Sequence, residues 1–258
     1  MKPEVAIERK GATGIIRLSR PEASNALTLE SKRLIGEGLA QFEADAAVRA
    51  VLLCAEGANF CTGADLKALE PRLDDPAGLE DYLRFGLRTY DRIAASRLPM
   101  VAAVQGLCLA GGLELMLSCD IVFAAADARF GDQHARFGLF PGGGGTQRLA
   151  RLVGQRRALD LMFSARWVEA DTALDWGMVN HVVPAGELQQ RSLAYCEMLA
   201  TRNPEGIAGM KRSVLQGAGL PMPQALDLEL SIAIPVLQSQ GARGGIAEFK
   251  ARRKPAAG

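Results

Sequence analysis

A single carboxylate, Glu114, stands in the almost wholly apolar stretch LCLAGGLELMLSCD, residues 107–120. A buried carboxylate is unfavourable unless it is paired, hydrogen-bonded or protonated. Gly111 and Gly112 come just before it, and glycine lets a ligand approach the backbone closely. A helix beginning at this pair would direct free N–H groups at a carbonyl oxygen that becomes negatively charged. The pattern therefore indicates a proton-transferring carboxylate beside an amide that binds an oxyanion.

The alternative is a helix start at which Glu114 faces solvent and only complements the helix dipole. The stretch alone does not separate the two interpretations. The flanking apolar residues leave little surface for water, and this favours the functional one. These residues are Leu113, Leu115, Met116 and Leu117.

A second glycine loop follows the apolar run AVLLC (50–54), in GANFCTGADLKAL at 57–69. Gly63 and Ala64 stand between that predicted strand and a predicted helix. Asp65 is typical of an N-cap rather than a catalyst. One N–H group from each loop would make a two-donor oxyanion hole, although each loop taken singly is weak evidence.

Strands and helices alternate along the first two-thirds of the chain, which predicts an α/β fold with largely buried strands. Thr28 is a predicted N-cap. An amphipathic helix is predicted over 79–94, after the loop-like PRLDDPAG (71–78), which we expect to be mobile. The predicted strands are GIIRLS (14–19), AVLLC (50–54), MVAAVQG (100–106) and DIVFAA (120–125).

Helical patterns dominate after about residue 185. Asn203 followed by Pro204 is a typical N-cap and N1 pair, and Pro235 predicts a bend. We expect a core at 1–195 and a helical C-terminal oligomerisation region at 196–258.

The composition excludes several classes of protein. Of 258 residues 48% are hydrophobic, and the net charge of +1 argues against nucleic acid or an anionic membrane as the main partner.

Five scattered cysteines suggest free thiols in a reducing compartment, so a cytoplasmic protein is expected. Two histidines without a ligand pair argue against zinc. The N-terminus lacks the apolar segment of a signal peptide, and glycines and Glu114 interrupt the apolar run at 101–117, so no membrane insertion is expected.

Three motifs in order resemble the enoyl-CoA hydratase/isomerase, or crotonase, superfamily. They are F-C-T-G-A-D-L (60–66), Q-G-x-x-x-A-G-G-x-E-L-x-x-x-C-D (105–120) and F-G-x-x-x-x-x-x-G-L-F-P-G-G-G-G-T-Q-R-L (130–149). Further matches lie at 20–27, 173–184 and 244–255. The resemblance covers nearly the whole chain, and jointly the motifs are highly specific.

The resemblance implies a crotonase-like spiral of ββα modules whose C-terminal helices form trimers, often paired into hexamers. It implies an acyl-CoA thioester as substrate and a place in fatty acid and lipid metabolism. Coenzyme A would be part of that substrate, with no tightly bound cofactor.

The resemblance also implies the roles of individual residues. Ala64 and Gly111 would donate to the thioester oxygen. The residues implied to touch CoA or the acyl group are Ala23, Ser24, Ala64, Asp65, Leu66, Lys67, Gly111 and Phe249. A basic run at 252–254 is also implied to lie near CoA, but its residue order differs from the one that is commoner in the family.

Glu114 matches the first of the two glutamates with which hydratases activate water, but His134 occupies the position of the second. A glutamate and a histidine can divide the acid and base steps, since an unperturbed imidazole titrates near ~6.5. Glu114 alone could also perform both steps through one water. The alternative for His134 is a structural side chain bonded within its loop, and the direction of the nearby Asp132 is open.

We therefore expect a lyase that adds water to a 2-enoyl-CoA to give a 3-hydroxyacyl-CoA. Another reaction of the family, such as isomerisation, decarboxylation or thioester hydrolysis, is the closest alternative because the second glutamate is replaced. A non-catalytic acyl-CoA-binding protein is an alternative of another class.

The chain lacks a dinucleotide-binding fingerprint. The glycine quartet GGGG (142–145) lacks the rest of a P-loop, so a packing or turn role is expected for the quartet. Structural roles are expected for His181 and the cysteines.

Overall fold

Two β-sheets organise the part of the chain that the computed structural model describes, residues 2–252. The first has six strands in the order β1-β2-β3-β4-β6-β9, and the second has three in the order β5-β7-β8. In chain order the strands are β1 (Val5–Lys10), β2 (Thr13–Leu18), β3 (Ala50–Ala55), β4 (Met100–Val104), β5 (Leu107–Leu109), β6 (Ile121–Ala125), β7 (Arg129–Gly131), β8 (Val168–Glu169) and β9 (His181–Val183).

The large sheet is parallel except for its first pair. β1 and β2 form an antiparallel hairpin, and each later neighbour pairs in parallel. Every residue of β3 and β4 is buried, as expected where helices cover both faces of a sheet. The four strands predicted from apolar runs are confirmed as β2, β3, β4 and β6, and β1, an edge strand with three exposed residues, was not predicted.

Helices surround these sheets. They are α1 (Leu29–Ala44), α2 (Leu66–Leu69), α3 (Pro76–Ala95), α4 (Gly111–Met116), α5 (Gly145–Val153), α6 (Gln155–Ser164), α7 (Ala170–Asp175), α8 (Leu188–Ala200), α9 (Pro204–Gly217), α10 (Met222–Gln238) and α11 (Gln240–Arg252).

The predicted helix caps are present. Thr28 Oγ1 accepts a hydrogen bond from Ser31 N at 2.9 Å and begins α1. Asn203 Oδ1 accepts from Glu205 N at 3.1 Å and begins α9. Pro235 lies inside α10.

The expectation of a loop at 71–78 is wrong at both ends of that segment, and its mobility stays a prediction. Residues Glu70–Arg72 form a 3-10 turn, and α3 already begins at Pro76. Proline fixes its φ near the helical value and lacks only an N–H that the first turn leaves unused, so it starts this helix rather than a loop.

Two isolated parallel bridges join the segments that carry the glycine loops. Leu27 pairs with Ala64, and Cys61 pairs with Cys108. These bridges hold the chain after β3 against the chain around β5, so the turn at Gly63 meets the start of α4.

The C-terminal part of the described chain consists of helices α8 to α11. α8 packs on β3 and β4, whereas α9, α10 and α11 pack mainly on one another. The predicted boundary at 195/196 falls within α8, and the division into core and oligomerisation region stays a prediction. Within residues 2–252, no helix is both long and apolar enough to cross a membrane.

Candidate active site

One cavity of about 670 Å³ brings Glu114, His134, Ala64 and Gly111 together. Most of its remaining wall is apolar. The apolar lining includes Leu66, Leu69, Leu73, Leu79, Leu83, Leu109, Leu139, Phe137 and Phe140. The four residues singled out as catalytic therefore share one site, although the sequence separates them by as much as 70 positions.

The two glycine loops touch at the wall of this cavity. A β-carbon on Gly111 would stand 3.2 Å from the Ala64 nitrogen, and one on Gly63 would stand 3.3 Å from the Gly111 nitrogen. Gly63 also has a φ of +117°, which L side chains rarely adopt. The first N–H groups of a helix have no partner within the helix, which leaves the Gly111 amide free to bind a ligand. The bridge to Leu27 uses Gly63 O and Asp65 N, and no hydrogen bond to a described residue occupies the Ala64 amide.

The residue before α4 is strained. Ala110 has φ +47° and ψ −119°, a conformation that is sparsely populated for a residue with a β-carbon. Its N–H donates to Gly131 O at 2.9 Å, which fixes the turn. Such strain is often found at functional sites. The sequence did not indicate it, because alanine carries no turn preference of this kind.

Two backbone amides hold the Glu114 carboxylate. Its Oε1 accepts from Gly143 N at 2.8 Å and from Gly145 N at 2.9 Å, and the residue is only 4% exposed. Burial raises the pKa of Glu114, while these amides and the charge of His134 oppose that rise. The solvent-facing interpretation of Glu114 is therefore wrong.

The glycine quartet does more than the packing or turn role expected for it. A β-carbon on Gly143 would stand 2.4 Å from the Tyr90 ring and 2.6 Å from Glu114 Oε2. Glycine lets this loop approach the carboxylate closely enough for its amides to bind. The sequence did not reveal this pairing, since the loop follows Glu114 by about 30 residues and has no side chains to form a pattern.

His134 and Asp132 form a hydrogen-bonded pair. His134 Nδ1 lies 3.0 Å from Asp132 Oδ1, and a carboxylate only accepts, so Nδ1 is the donor. Nε2 is then left for a ligand. Burial would lower the pKa of His134, but the hydrogen bond and charge of Asp132 and the charge of Glu114 outweigh it and raise that pKa. Asp132 Oδ2 is buried without a hydrogen-bond partner among the described residues.

Comparison with known proteins gives a match to the family model "Enoyl-CoA hydratase/isomerase" over residues 8–257. The chain belongs to the enoyl-CoA hydratase/isomerase family. A probable enoyl-CoA hydratase of Rhizobium meliloti is 35% identical, with 96% of this chain and 95% of that protein covered. A short-chain enoyl-CoA hydratase of Clostridium acetobutylicum is 31% identical, with 97% and 95% covered. A crystal structure of an enoyl-CoA hydratase subunit from Geobacillus kaustophilus superposes with a TM-score of 0.91 at 34% identity, covering 99% of this chain and 98% of that one.

Family membership confirms the crotonase-like α/β fold and the resemblance seen in the motifs. It also identifies the protein as an enzyme of the enoyl-CoA hydratase type. Family membership does not by itself show that His134 pairs with Asp132. The geometry of this chain shows that contact.

The segment expected to bind CoA lies against the second glycine loop. Ser24 has φ +49°, and its carbonyl accepts from Thr62 N at 3.1 Å. Asn25 holds this segment against the loop after β3, because its side-chain nitrogen donates to Glu56 O at 2.9 Å and to Asn59 O at 2.8 Å. Ala23 ends the short 3-10 turn before this segment. The structure therefore places Ala23 and Ser24 beside the loop that leads to Ala64.

The other residues expected at the CoA site lie in different surroundings: some line the cavity or cap a helix, and others lie away from the cavity. Asp65 caps α2 by accepting from Lys67 N at 3.1 Å and pairs with Arg20 at 3.1 Å, which confirms the N-cap prediction. Leu66 lines the cavity, and Lys67 is exposed. Phe249 lies on α11 and does not contribute to the described cavity wall. Residues 253 and 254 of the basic run lie outside the described residues.

The structural interpretations of His181 and the cysteines are consistent with their surroundings. The His181 ring stacks on Phe123 with 4.3 Å between centroids. The five cysteines form no disulfide, and four of them are buried. Burial raises the pKa of Cys61 to about 12, so this thiol beside the glycine loop is not activated as a nucleophile.

Proposed function

We propose that this enzyme adds water reversibly across the double bond of a 2-enoyl-CoA to form a 3-hydroxyacyl-CoA. The observation that supports this reaction most strongly is the meeting of one buried carboxylate, one imidazole and two free amides in a single cavity. A hydration needs a base for water, an acid for C2 and a binding site for the enolate oxygen. The cavity offers one group for each need.

The thioester oxygen lies between the Ala64 and Gly111 amides in this mechanism. When hydroxide adds to C3, the electrons of the double bond move toward C1 and leave negative charge on that oxygen. Preorganised donors of this kind typically contribute 10²–10³-fold each. CoA is bound as part of the substrate, with Ala23, Ser24, Asp65, Leu66, Lys67 and Phe249 as its proposed contacts.

Glu114 takes the proton of the attacking water. The Gly143 and Gly145 amides orient its carboxylate, and the raised pKa makes it a stronger base than an exposed glutamate. His134, oriented by Asp132, delivers a proton to C2 from Nε2. The raised pKa of His134 favours the protonated form that this step requires.

Double-bond isomerisation is the second candidate, and one observation favours it. Among the described residues that line the cavity, Glu114 is the only carboxylate. One base is sufficient to carry a proton between C2 and C4, whereas hydratases of the family use two glutamates.

Product analysis in isotopically labelled water separates the candidates. We expect crotonyl-CoA to yield 3-hydroxybutyryl-CoA with labelled oxygen at C3. A 3-enoyl-CoA converted only to its 2-enoyl isomer, without uptake of labelled oxygen, would support isomerisation instead. Release of free CoA would indicate a thioester hydrolase. Tight binding of thioesters without turnover would indicate the non-catalytic alternative.

A further inference from the structure

A buried lysine lies in the wall of the cavity. Lys32, on α1, is only 6% exposed and lines the same cavity as Glu114. The other lysine or arginine among the described lining residues, Arg136, is exposed. Buried lysines are rare unless they are paired, and the proposed hydration assigns this one no role.

Two residues of α3 surround the Lys32 ammonium group, and neither carries a negative charge that would balance it. Nζ of Lys32 lies 4.6 Å from the centroid of the Tyr82 ring. A β-carbon on Gly86 would stand 3.0 Å from the same Nζ, so a glycine there leaves space that a larger residue would fill. The ring face attracts a cation, but far less than water or a carboxylate does.

Lys32 lacks a counter-ion in the described part of the chain. No hydrogen bond or ion pair to its ammonium is present, and Glu114, the nearby carboxylate, already has Oε1 held by Gly143 and Gly145. Burial lowers the pKa of Lys32, and the charge of Glu114 opposes this only in part. The Tyr82 hydroxyl is also buried without a hydrogen-bond partner among the described residues. This wall of the cavity therefore holds a buried ammonium group whose charge is balanced only in part, and an unused hydroxyl donor.

We propose that Lys32 determines the substrate class, and that the enzyme selects CoA thioesters whose acyl chain ends in a carboxylate. The inference rests on the proposed function in that it takes this cavity as the acyl-CoA site. A carboxylate at the end of the acyl chain supplies the missing negative charge and an acceptor for the ammonium. A neutral alkyl chain of the same shape leaves the ammonium desolvated with its charge balanced only in part, and is therefore bound more weakly.

Binding of saturated thioesters tests this inference without any turnover. Glutaryl-CoA and 5-methylhexanoyl-CoA have the same chain shape, but the first ends in a carboxylate and the second in two methyl groups. Titration calorimetry on the wild type should show glutaryl-CoA bound about 10–100-fold more tightly, the range for a hydrogen bond to a charged group. Equal binding, or tighter binding of the neutral thioester, would overturn the proposal without recourse to any variant.

The Lys32→Met variant assigns the preference to this residue. Methionine keeps the unbranched shape of the side chain, one atom shorter, and removes the charge, so the preference for glutaryl-CoA should disappear or reverse. Replacing a buried lysine that has no direct counter-ion among the described residues by an apolar side chain should leave the melting temperature unchanged or higher. Lys10→Met is the matched control, because Lys10 is exposed on β1, and it should retain the preference. If Lys32→Met weakened the binding of both thioesters by the same factor, Lys32 would have no role in selecting between them.

The unsaturated pair separates this inference from the proposed function. trans-Glutaconyl-CoA and 5-methylhex-2-enoyl-CoA repeat the comparison with a double bond at C2. Hydration of both at equal kcat/KM would support the reaction and reject the role of Lys32. A binding preference for glutaryl-CoA with hydration of neither enoyl thioester would support the role of Lys32 and reject the reaction.

Discussion

Glu114 stays in an apolar wall because main-chain amides, rather than a cation, hold its carboxylate. Two N–H groups bind Oε1 and leave Oε2 for water and substrate. A counter-ion in direct contact would lower the basicity of the carboxylate, whereas burial raises its pKa. A general base is most effective when it is both ionised and basic at the working pH. Burial makes this carboxylate more basic, and the two amides favour its ionised form.

Asp132 influences the pKa of both proton-transfer groups. It raises the pKa of His134 through its hydrogen bond and charge, and its charge also raises the pKa of Glu114. Because Glu114 must be ionised and His134 protonated, kcat/KM should fall below the pKa of Glu114 and above the pKa of His134. A bell-shaped pH profile is expected.

The Asp132→Asn variant should move both limbs of that profile to lower pH. Asparagine keeps an oxygen to accept from His134 Nδ1 but removes the negative charge, so both pKa values fall. The measurement is kcat/KM for crotonyl-CoA across pH, with Asp91→Asn, on the exposed surface of α3, as a control. An alkaline limb that does not move in Asp132→Asn would show that His134 is not the acid.

Lys32 was missed among the candidate site residues, although the helical period places it on the buried face of α1. Lys32 stands three and seven positions before Ile35 and Leu39, which are buried on that face. Arg33 pairs with Glu30 and Glu37 on the exposed surface, whereas Lys32 is buried against α3. The sequence does not show that Tyr82 and Gly86, some 50 residues later, are the residues against which Lys32 packs.

At the scale of elements, the site depends on how closely the start of α4 approaches the preceding loop. A β-carbon on Gly112 would stand 2.2 Å from Cys61 O, a backbone atom that cannot move aside. Glycine is therefore required there by packing, while Gly36 in α1 has no atom within 4 Å of its missing β-carbon.

The same substitution at these two helical glycines should have opposite effects. Gly112→Ala should lower the free energy of unfolding by about 1–3 kcal/mol through overpacking, and should reduce kcat by displacing the Gly111 amide. Gly36→Ala should raise that free energy by about 0.5–1 kcal/mol, because alanine is the better helix former. Urea unfolding monitored by circular dichroism measures both. Equal stability of the two variants would contradict the close approach of α4 to Cys61.

The elements that the sequence predicted well are those with a strong local pattern. β3 and β4 are continuous apolar runs, and the caps at Thr28 and Asn203 are local motifs. The three-stranded sheet was missed, since its strands have only two or three residues and pair across long stretches of chain. The motifs placed Ala64, Gly111 and Glu114 at one site, but not the amides that orient Glu114.

At the scale of the whole molecule, α10 presents an apolar face without a partner in the described chain. Its exposed apolar residues recur every three or four positions, which places them on one side of the helix. They are Met222, Leu226, Leu230, Ile234 and Leu237, each 51–70% exposed. A contiguous apolar face of this kind is typical of a protein interface, and we propose that it contributes to the trimer or hexamer implied by the family resemblance.

Light scattering after gel filtration tests this assembly. The wild type should elute as a trimer or hexamer, and Leu230→Glu should reduce the mass toward that of one chain, because it buries a charge in the interface. Gln224→Glu adds the same charge to an exposed polar position of α10 and should leave the mass unchanged. A monomeric wild type would contradict the proposed interface.

The most direct test of the account compares hydration of crotonyl-CoA by the wild type and by Glu114→Gln. Glutamine keeps an oxygen to accept from Gly143 and Gly145 but cannot take a proton from water. We predict a fall in kcat of roughly 10²–10⁴-fold, with an unchanged melting temperature and unchanged affinity for the saturated butyryl-CoA. Hydration by Glu114→Gln at close to the wild-type rate would contradict the account, because the proton would then be taken by some other group.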